Sequence, residues 1–406
     1  MTGRLPLDGV RVIDFGQLTA GANTSAMLAD LGADVIKIES PANLDLFRTI
    51  GAPDRDAGWW NRSPPFRFSN RNKRSIALDL KSPEGLRRVR ELIVQSDVVV
   101  ENFRRGVLER LGLDYPNLHV LNPRIVLASI SSQGETGPNR LHASFGSTLD
   151  ATGGLASLTG YAGAEPLVSG SDVNYPDQVV SLISTGLILA ALREVRRTGR
   201  GTRLDISQRE IVSFLIGEQI VAAAADRQWR AERDGNREDG ILLQDCFRCA
   251  DGRWLALTIA DDGQAARVAQ VLAMAGPVAA SATGRAAASA NAALLRDDLA
   301  RWCATQTARV AAACLNEAGL AAAPVMDGMD LLDAPHLSGQ TLVADAQGDL
   351  VKGMPYVLGG RPFQIRRPAP ALGEHTAELL REVLGLSESD IARLDAMGVT
   401  RTDPQP

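Results

Sequence analysis

The chain has 406 residues, 45% of them hydrophobic and only 4% aromatic, with 43 Lys and Arg against 48 Asp and Glu for a formal net charge of -5. That length allows two domains and a sizeable core. The mild acidity argues against nucleic acid as the main partner, because phosphate binding needs a basic field, but leaves room for a small anion held by local Arg and Lys. The four cysteines, Cys246, Cys249, Cys303 and Cys314, are too few and too scattered for a disulfide framework. MTGRLPLDG at the start carries no apolar signal-peptide run. The longest nearly apolar stretch, 179–192, is broken by Ser181, Ser184 and Thr185 and falls short of the roughly 20 residues a membrane span needs. A cytoplasmic protein without membrane association is therefore expected.

In chain order, residues 10–15 read as a short apolar strand, and a helix starting at Asn23 or Thr24 leads to a second strand at 33–39. This is a βαβ unit, so a parallel sheet with a right-handed crossover is expected. Ser82 is placed to cap a helix whose first position is Pro83, where the missing N–H costs nothing. Leu86, Val89, Leu92 and Ile93 then share one face of that helix. Strands follow at 97–101 and 124–130, then a Gly-rich stretch, 134–176, that reads as irregular. An apolar helix over 178–197 ends at Gly199 and Gly201. From about 226 the composition shifts: 226–240 is a charged linker or surface loop, Asp251-Gly252 is a hairpin turn, and 264–323 is Ala-rich and helical. Two helices close the chain, at 374–384 and after the capping-box-like Ser387 and Asp390.

The common phosphate cradles are absent: neither G-x-x-x-x-G-K-[ST] nor G-x-G-x-x-G occurs, and there is no G-x-S-x-G elbow. His119, His142, His336 and His375 lie far apart, so no metal site is expected. Cys246 and Cys249 have C-x-x-C spacing without a second pair and are expected to pack in or near the core.

Taken together, LPLDGVRVIDF at 5–15, LADLGADVIKIE at 28–39, NRNKRSIALDLKSPEG at 70–85, ENFRRGVLERLGLDY at 101–115 and NPRIVLASISSQGETGP at 122–138 are recognisable. GGLASLTGY at 153–161, ILAALREVRRTGRG at 188–201, AAPVMD at 322–327 and RRPAPALGEHT at 366–376 complete the pattern. In order and spacing the sequence resembles the class III CoA-transferases, the family of formyl-CoA:oxalate and carnitine CoA-transferases that also holds α-methylacyl-CoA racemases. The resemblance implies an α/β fold: a Rossmann-like large domain (1–225), a smaller α+β domain (226–330) and a carboxyl-terminal segment (331–406) returning to the large one. It also implies an interlocked homodimer.

The resemblance further implies chemistry. A carboxylate attacks an acyl-CoA thioester, forms a mixed anhydride and then an enzyme-bound CoA thioester, and passes CoA to a second acid, so two moderate barriers replace one large one. Counting back from ILAAL places the catalytic aspartate at Asp177, with Asp172 five residues too early. At a helix amino terminus free N–H groups and the dipole favour the ionised form; the plainer role for Asp177 is an N-cap. Family contacts to CoA carry over to Thr19, Ala20, Leu78, Lys81, Asn102, Phe103, Arg104 and Arg110, a set offering cations for phosphates and an apolar wall for adenine. CoA and acyl-CoA are substrates on this reading; no permanently bound cofactor is expected, and the partners are an acyl-CoA and a small carboxylic acid.

The sequence departs from the family where Ala22 and Arg105 replace prolines, changes that alter loop rigidity or add a phosphate contact. Ala143, Phe145 and Gly146 replace a basic or tyrosine-glutamate cluster. The glycine-rich loop that shields the intermediate in formyl-CoA transferases has no clear equivalent, 234–240 being only a weak candidate, so oxalate-like specificity is not expected. A racemase would need a histidine where Phe145 stands, and a phenyl ring moves no proton. A non-catalytic CoA-binding subunit is disfavoured by retention of Asp177, and a nucleotide-dependent oxidoreductase by the missing glycine fingerprint. Trp59 and Trp60 are candidates either for an acyl pocket or for packing.

Overall fold

The fold is described from a computed structural model, for residues 4–52, 57–169, 174–230, 232–273, 285–334, 342–344, 348, 350–360 and 363–404. The chain divides into two compact units: 1–156, 168–229 and 337–406 form the larger, and 157–167 with 230–336 the smaller.

In the larger unit, β1 (Arg11–Asp14), α1 (Ala20–Asp30) and β2 (Asp34–Glu39) make the expected βαβ element. They are followed by α2 (Pro64–Asn70), β3 (Arg74–Ala77), α3 (Pro83–Val94), β4 (Val98–Glu101), α4 (Val107–Leu111), α5 (Tyr115–Leu121) and β5 (Val126–Ser131). Then come α6 (Gly146–Gly153), α7 (Leu155–Leu158), α8 (Tyr175–Thr198), β6 (Thr202–Ser207), α9 (Gln208–Leu215) and α10 (Gly217–Ala225). The six strands form one sheet of order β3-β2-β1-β4-β5-β6, parallel at every pairing. Such a sheet is buried on both faces, which explains its nearly continuous Val and Ile runs. Val12, Val35, Val98, Val126 and Ala128 pack beneath α1 and α8, while Ile13, Ile36, Val99 and Leu127 join the opposite core.

The stretch 134–176, expected to be irregular, contains α6 and the start of α8. The expectation failed because glycines were read as breakers, whereas Gly146 and Gly153 are helical positions where neighbours crowd in. A Cβ at Gly153 would stand 2.4 Å from Val212 Cγ1, so glycine is what lets α6 approach α9. The helix read at 178–197 begins earlier, at Tyr175. With 24 residues it is long and apolar enough in composition to cross a membrane. Here it lies on the sheet, with Val180, Ile188, Ala191, Leu192 and Val195 in the core.

In the smaller unit, β7 (Leu243–Arg248) and β8 (Trp254–Ile259) form the hairpin expected around Asp251-Gly252, with Gly252 at φ 77° and Cys249 N–H bonded to Arg253 O at 2.8 Å. Helices α11 (Asp262–Ala273), α12 (Arg285–Cys303) and α13 (Ala308–Glu317) cover it. Within the Ala-rich tract, β9 (Ala321–Pro324) is a strand antiparallel to β8, not a helix end; its alanines fit because β8 supplies the bulky side chains Leu255 and Leu257. The helix α14 (Gly328–Leu332) ends this unit. Cys249 and Cys303 are both core residues there.

The carboxyl-terminal part of the larger unit holds β10 (Leu342–Ala344), β11 (Leu350–Lys352), α15 (Thr376–Glu382) and α16 (Glu388–Ala396). It covers the outer edge of β3: His375 N–H donates to Ser75 O at 2.9 Å, Ala77 N–H to Thr376 Oγ1 at 3.0 Å, and Asp79 N–H to Val399 O at 2.9 Å. Leu379, Leu380, Leu394 and Val399 join the core on that side, so the sheet edge is not left open to pairing.

Candidate active site

The strand order reverses between β1 and β4, and in doubly wound sheets the crevice at the carboxyl ends of the strands at such a point takes ligands. A cavity of about 280 Å³ lies there. Its wall comes from the loop after β1 (Gln17, Leu18, Thr19) with Ala20 at the start of α1, the loop after β4 (Asn102, Phe103, Arg104, Arg105), and Ser131 and Ser132 at the end of β5. The segment 140–145, Asp177 of α8 and Gln208 of α9 close it.

Asp177 is the third residue of α8, and the N-cap position belongs to Asn174, in left-handed conformation at φ 44° and ψ 55°. The carboxylate is thus not spent on capping. Gln208 Nε2 donates to its Oδ1 at 2.5 Å, and Asn174 Nδ2 donates to its Oδ2. Burial pushes the group up to about 6, the two amide donors pull the other way, and the charge of Asp150 adds to the rise. The expectation that the helix terminus would favour ionisation is therefore outweighed by desolvation. Glycine at 146 leaves room for this amide, since a Cβ there would collide with Asn174 Oδ1 unless that side chain shifted.

The loop after β1 is held by its main chain. Gly16 N–H donates to Asp14 Oδ1 at 2.7 Å, Gln17 N–H to Asn102 Oδ1 at 2.8 Å, and Leu18 N–H to Asp45 Oδ1 at 3.2 Å. Lys37 Nζ reaches Gly16 O at 2.6 Å and Asp45 at 3.0 Å, while Lys73 Nζ bonds Asp14 at 2.9 Å and Ala22 O at 2.7 Å. These charges are buried, and their pairing is what makes burial tolerable. Leu18 sits at φ 55°, a strained region for a non-glycine residue that persists only where the surroundings over-determine it.

Of the residues expected to contact CoA, Thr19, Ala20, Asn102, Phe103 and Arg104 line the cavity together with Asp177. Asn102 also shapes the loop after β1: its amide pairs with both N–H and C=O of Gln17, using the groups it would have offered a ligand. Phe103 packs on Phe15 at 6.0 Å between ring centroids, an apolar wall. Leu78, Lys81 and Arg110 are not among the residues lining this cavity. Leu78 has its side chain fully in the core, and Lys81 and Arg110 are exposed, the first just before α3 and the second in α4. Arg105 is already ion-paired with Glu135 and Glu109, which leaves less of it for a phosphate. Trp59 and Trp60 form an edge-to-face pair with 5.9 Å between ring centroids and are not among the residues lining the cavity. Asp172 lies outside the described residues, and 234–240 belongs to the smaller unit.

Gln208, Asn174, Arg140 and His142 were not singled out from the sequence. Gln208 is 31 residues from Asp177, and only the return of β6 beside β5 brings them together. Arg140 and His142 sat in the stretch read as irregular. Among the described residues Arg140 bonds only Gly137 O, at 3.4 Å, so its guanidinium is available to the cavity.

Known proteins resemble this chain along nearly its whole length. Residues 7–376 match the profile of "CoA-transferase family III". The chain is 34% identical over 401 residues to the succinyl-CoA–L-malate CoA-transferase beta subunit of Chloroflexus aurantiacus, covering 96% of this chain and 97% of that one. It is 35% identical over 407 residues to the succinyl-CoA–D-citramalate CoA-transferase of the same organism, with 97% and 98% covered. A crystal structure of a CaiB/BaiF family protein from Brucella suis superposes with a TM-score of 0.84 at 31% identity, covering 94% of this chain and 100% of that one.

Proposed function

The chain belongs to CoA-transferase family III, and we propose that it moves CoA from a donor such as succinyl-CoA to a small dicarboxylic acid through covalent intermediates on Asp177. The observation that carries this reading is the half-buried carboxylate in the first turn of α8, held by two amides in the wall of a cavity at the sheet's switch point.

In the first step an oxygen of Asp177 attacks the thioester carbonyl carbon; a C–O bond forms, the C–S bond breaks, and CoA leaves as thiolate. The thiolate then attacks the Asp177 carbonyl carbon of the mixed anhydride, giving an aspartyl-CoA thioester and the free donor acid. The acceptor carboxylate attacks that thioester, a second anhydride forms, and the thiolate takes the new acyl group, restoring Asp177. No proton or water is consumed. The Gln208 and Asn174 amides hold the attacking carboxylate in position and, when the Asp177 carbonyl is itself attacked, donate to its oxygen as that oxygen gathers charge. A carboxylate titrating near 6 is ionised at neutral pH yet a better nucleophile than an ordinary one.

Thr19, Ala20, Asn102, Phe103 and Arg104 form the CoA end of this reading, with the exposed Lys81 and Arg110 reaching the nucleotide from outside the cavity and Leu78 confined to the core behind it. The similar transferases are named for malate and citramalate, acids with a second carboxylate. Arg140 is the cavity cation fitted to hold such a distal carboxylate, as a guanidinium pairs with one through two parallel bonds. We take the active assembly to be an interlocked homodimer with a Rossmann-like CoA cradle, in the cytoplasm. A hetero-oligomer is the alternative, one relative being a beta subunit.

Initial rates with succinyl-CoA test this. Four- and five-carbon dicarboxylates should be accepted at least about tenfold better in kcat/KM than butyrate, and Arg140→Ala should erase that preference, the cost of about 1.4 kcal/mol or more that one charge-assisted contact carries. Equal use of butyrate would remove the dicarboxylate reading. A racemase-like alternative has one feature behind it, His142 in the same cavity; solvent deuterium entering the acyl α-carbon, lost in His142→Ala, would favour it.

A further inference from the structure

Asp150, on α6, is 1% exposed. Its Oδ2 accepts from Ser169 N–H at 2.8 Å and Ser169 Oγ at 2.7 Å. Ser169 Oγ in turn accepts from the N–H of Tyr175 at 3.3 Å, the first residue of α8 and two before Asp177. The other oxygen, Oδ1, is buried and meets no donor among the described residues. A buried carboxylate oxygen without a donor is costly, and such an atom in a native fold calls for a reason.

Among the described residues Asp150 forms no ion pair, and its bonds go to Ser169 alone. The charged or titratable side chains on the elements packed around the pair are Arg209 and Glu210 of α9 and Arg104, Arg105, Arg140 and His142 of the cavity wall. Among the described residues, Asp150 is the one whose charge acts on Asp177. A fold that needed only to anchor 168–169 could have done so with a neutral acceptor. An amide oxygen would take the same two Ser169 bonds and use its NH₂ where Oδ1 now stands bare.

We propose that Asp150 is a positioning residue for the transfer reaction: through Ser169 it fixes the first turn of α8, and its bare oxygen sets a second carboxylate near the one that reacts. This rests on Asp177 being the acyl acceptor. The consequence is directional. Every covalent intermediate on Asp177, anhydride or thioester, is neutral where the free carboxylate is charged. Like-charge repulsion is present only in the resting enzyme and is relieved on acylation, which favours the covalent states and strengthens the nucleophile.

The test compares the full-length protein with Asp150→Asn and Ser169→Ala, reading the pH profile of kcat/KM and the fraction of Asp177 trapped by hydroxylamine under saturating succinyl-CoA. Asp150→Asn removes the like charge and leaves the shape, so the acid limb should move to lower pH by half a unit or more and the trapped fraction should fall severalfold. Ser169→Ala breaks the tie and keeps the charge, so kcat should fall severalfold with the limb in place. An unmoved limb in Asp150→Asn with Asp177 still trapped as in the parent overturns the proposal and leaves the Asp177 reading intact. If Asp150→Asn does not fold, an unchanged kcat in Ser169→Ala overturns it instead. Absence of any Asp177 adduct in the parent removes the premise, and the proposal with it.

Discussion

Asp177 shows how burial can set the working range of a nucleophile. Its carboxyl is pushed up to about 6, chiefly by desolvation, so the fraction ionised rises steeply between pH 5 and 7. Activity that depends on the free carboxylate should therefore follow one ionisation on the acid side, with kcat/KM falling about tenfold per pH unit well below 6 and levelling above 7. A limb near pH 4 would mean that the carboxylate is solvated in the working enzyme. The sign for stability is opposite. The folded state holds this proton to higher pH than the unfolded chain, so this group makes the fold less stable as pH rises from about 4 to about 6, and Asp177→Asn lacks that loss. Asp177 could be singled out from the sequence only through the family resemblance, counting back from ILAAL along one helix. Its partners Asn174 and Gln208 could not: Asn174 acts through a left-handed backbone, and Gln208 through a strand crossover that no local pattern encodes.

At the scale of elements, the loop after β1 owes its shape to side chains from three other places in the chain: Asn102, Asp45 and Lys37. Asp45→Ala should cost about 3–5 kcal/mol, because it leaves the Lys37 ammonium buried without its 3.0 Å carboxylate partner. It should also raise KM for acyl-CoA more than it lowers kcat, as Leu18 relaxes from φ 55° and the wall shifts. Denaturant unfolding and steady-state kinetics read the two effects; a change in stability with KM unmoved would deny the loop its part in binding. The βαβ start was legible because two short apolar runs, 10–15 and 33–39, flank a helical segment and are set off from it by Gly16 and Gly32. β3, with Lys73 and Arg74 at its start, and β6, with alternate residues exposed, were not. Charges in β3 are tolerated only because Asp14, Asp34, Glu378 and Glu382 meet them from remote segments. The Ala-rich β9 hid for a related reason: its β partner, not its own composition, makes it a strand.

At the scale of the whole molecule, the sheet's reversal between β1 and β4 opens the cavity, and the loops following β1, β4 and β5 together with the starts of α8 and α9 wall it. The carboxyl-terminal segment closes the edge of β3 and so holds in place the strand that begins just after Lys73. Family and reaction class follow from the chain-long likeness to CoA-transferases. Beyond them stands the proposal that CoA and acyl groups pass through Asp177. Incubation with succinyl-CoA, trapping with hydroxylamine, and mass measurement of the peptide holding Asp177 put it to the test. The expected result is a hydroxamate on Asp177 that requires succinyl-CoA and disappears in Asp177→Asn. Succinyl-CoA consumed with a dicarboxylate acceptor while Asp177 stays unmodified, or full transfer by Asp177→Asn, would contradict it.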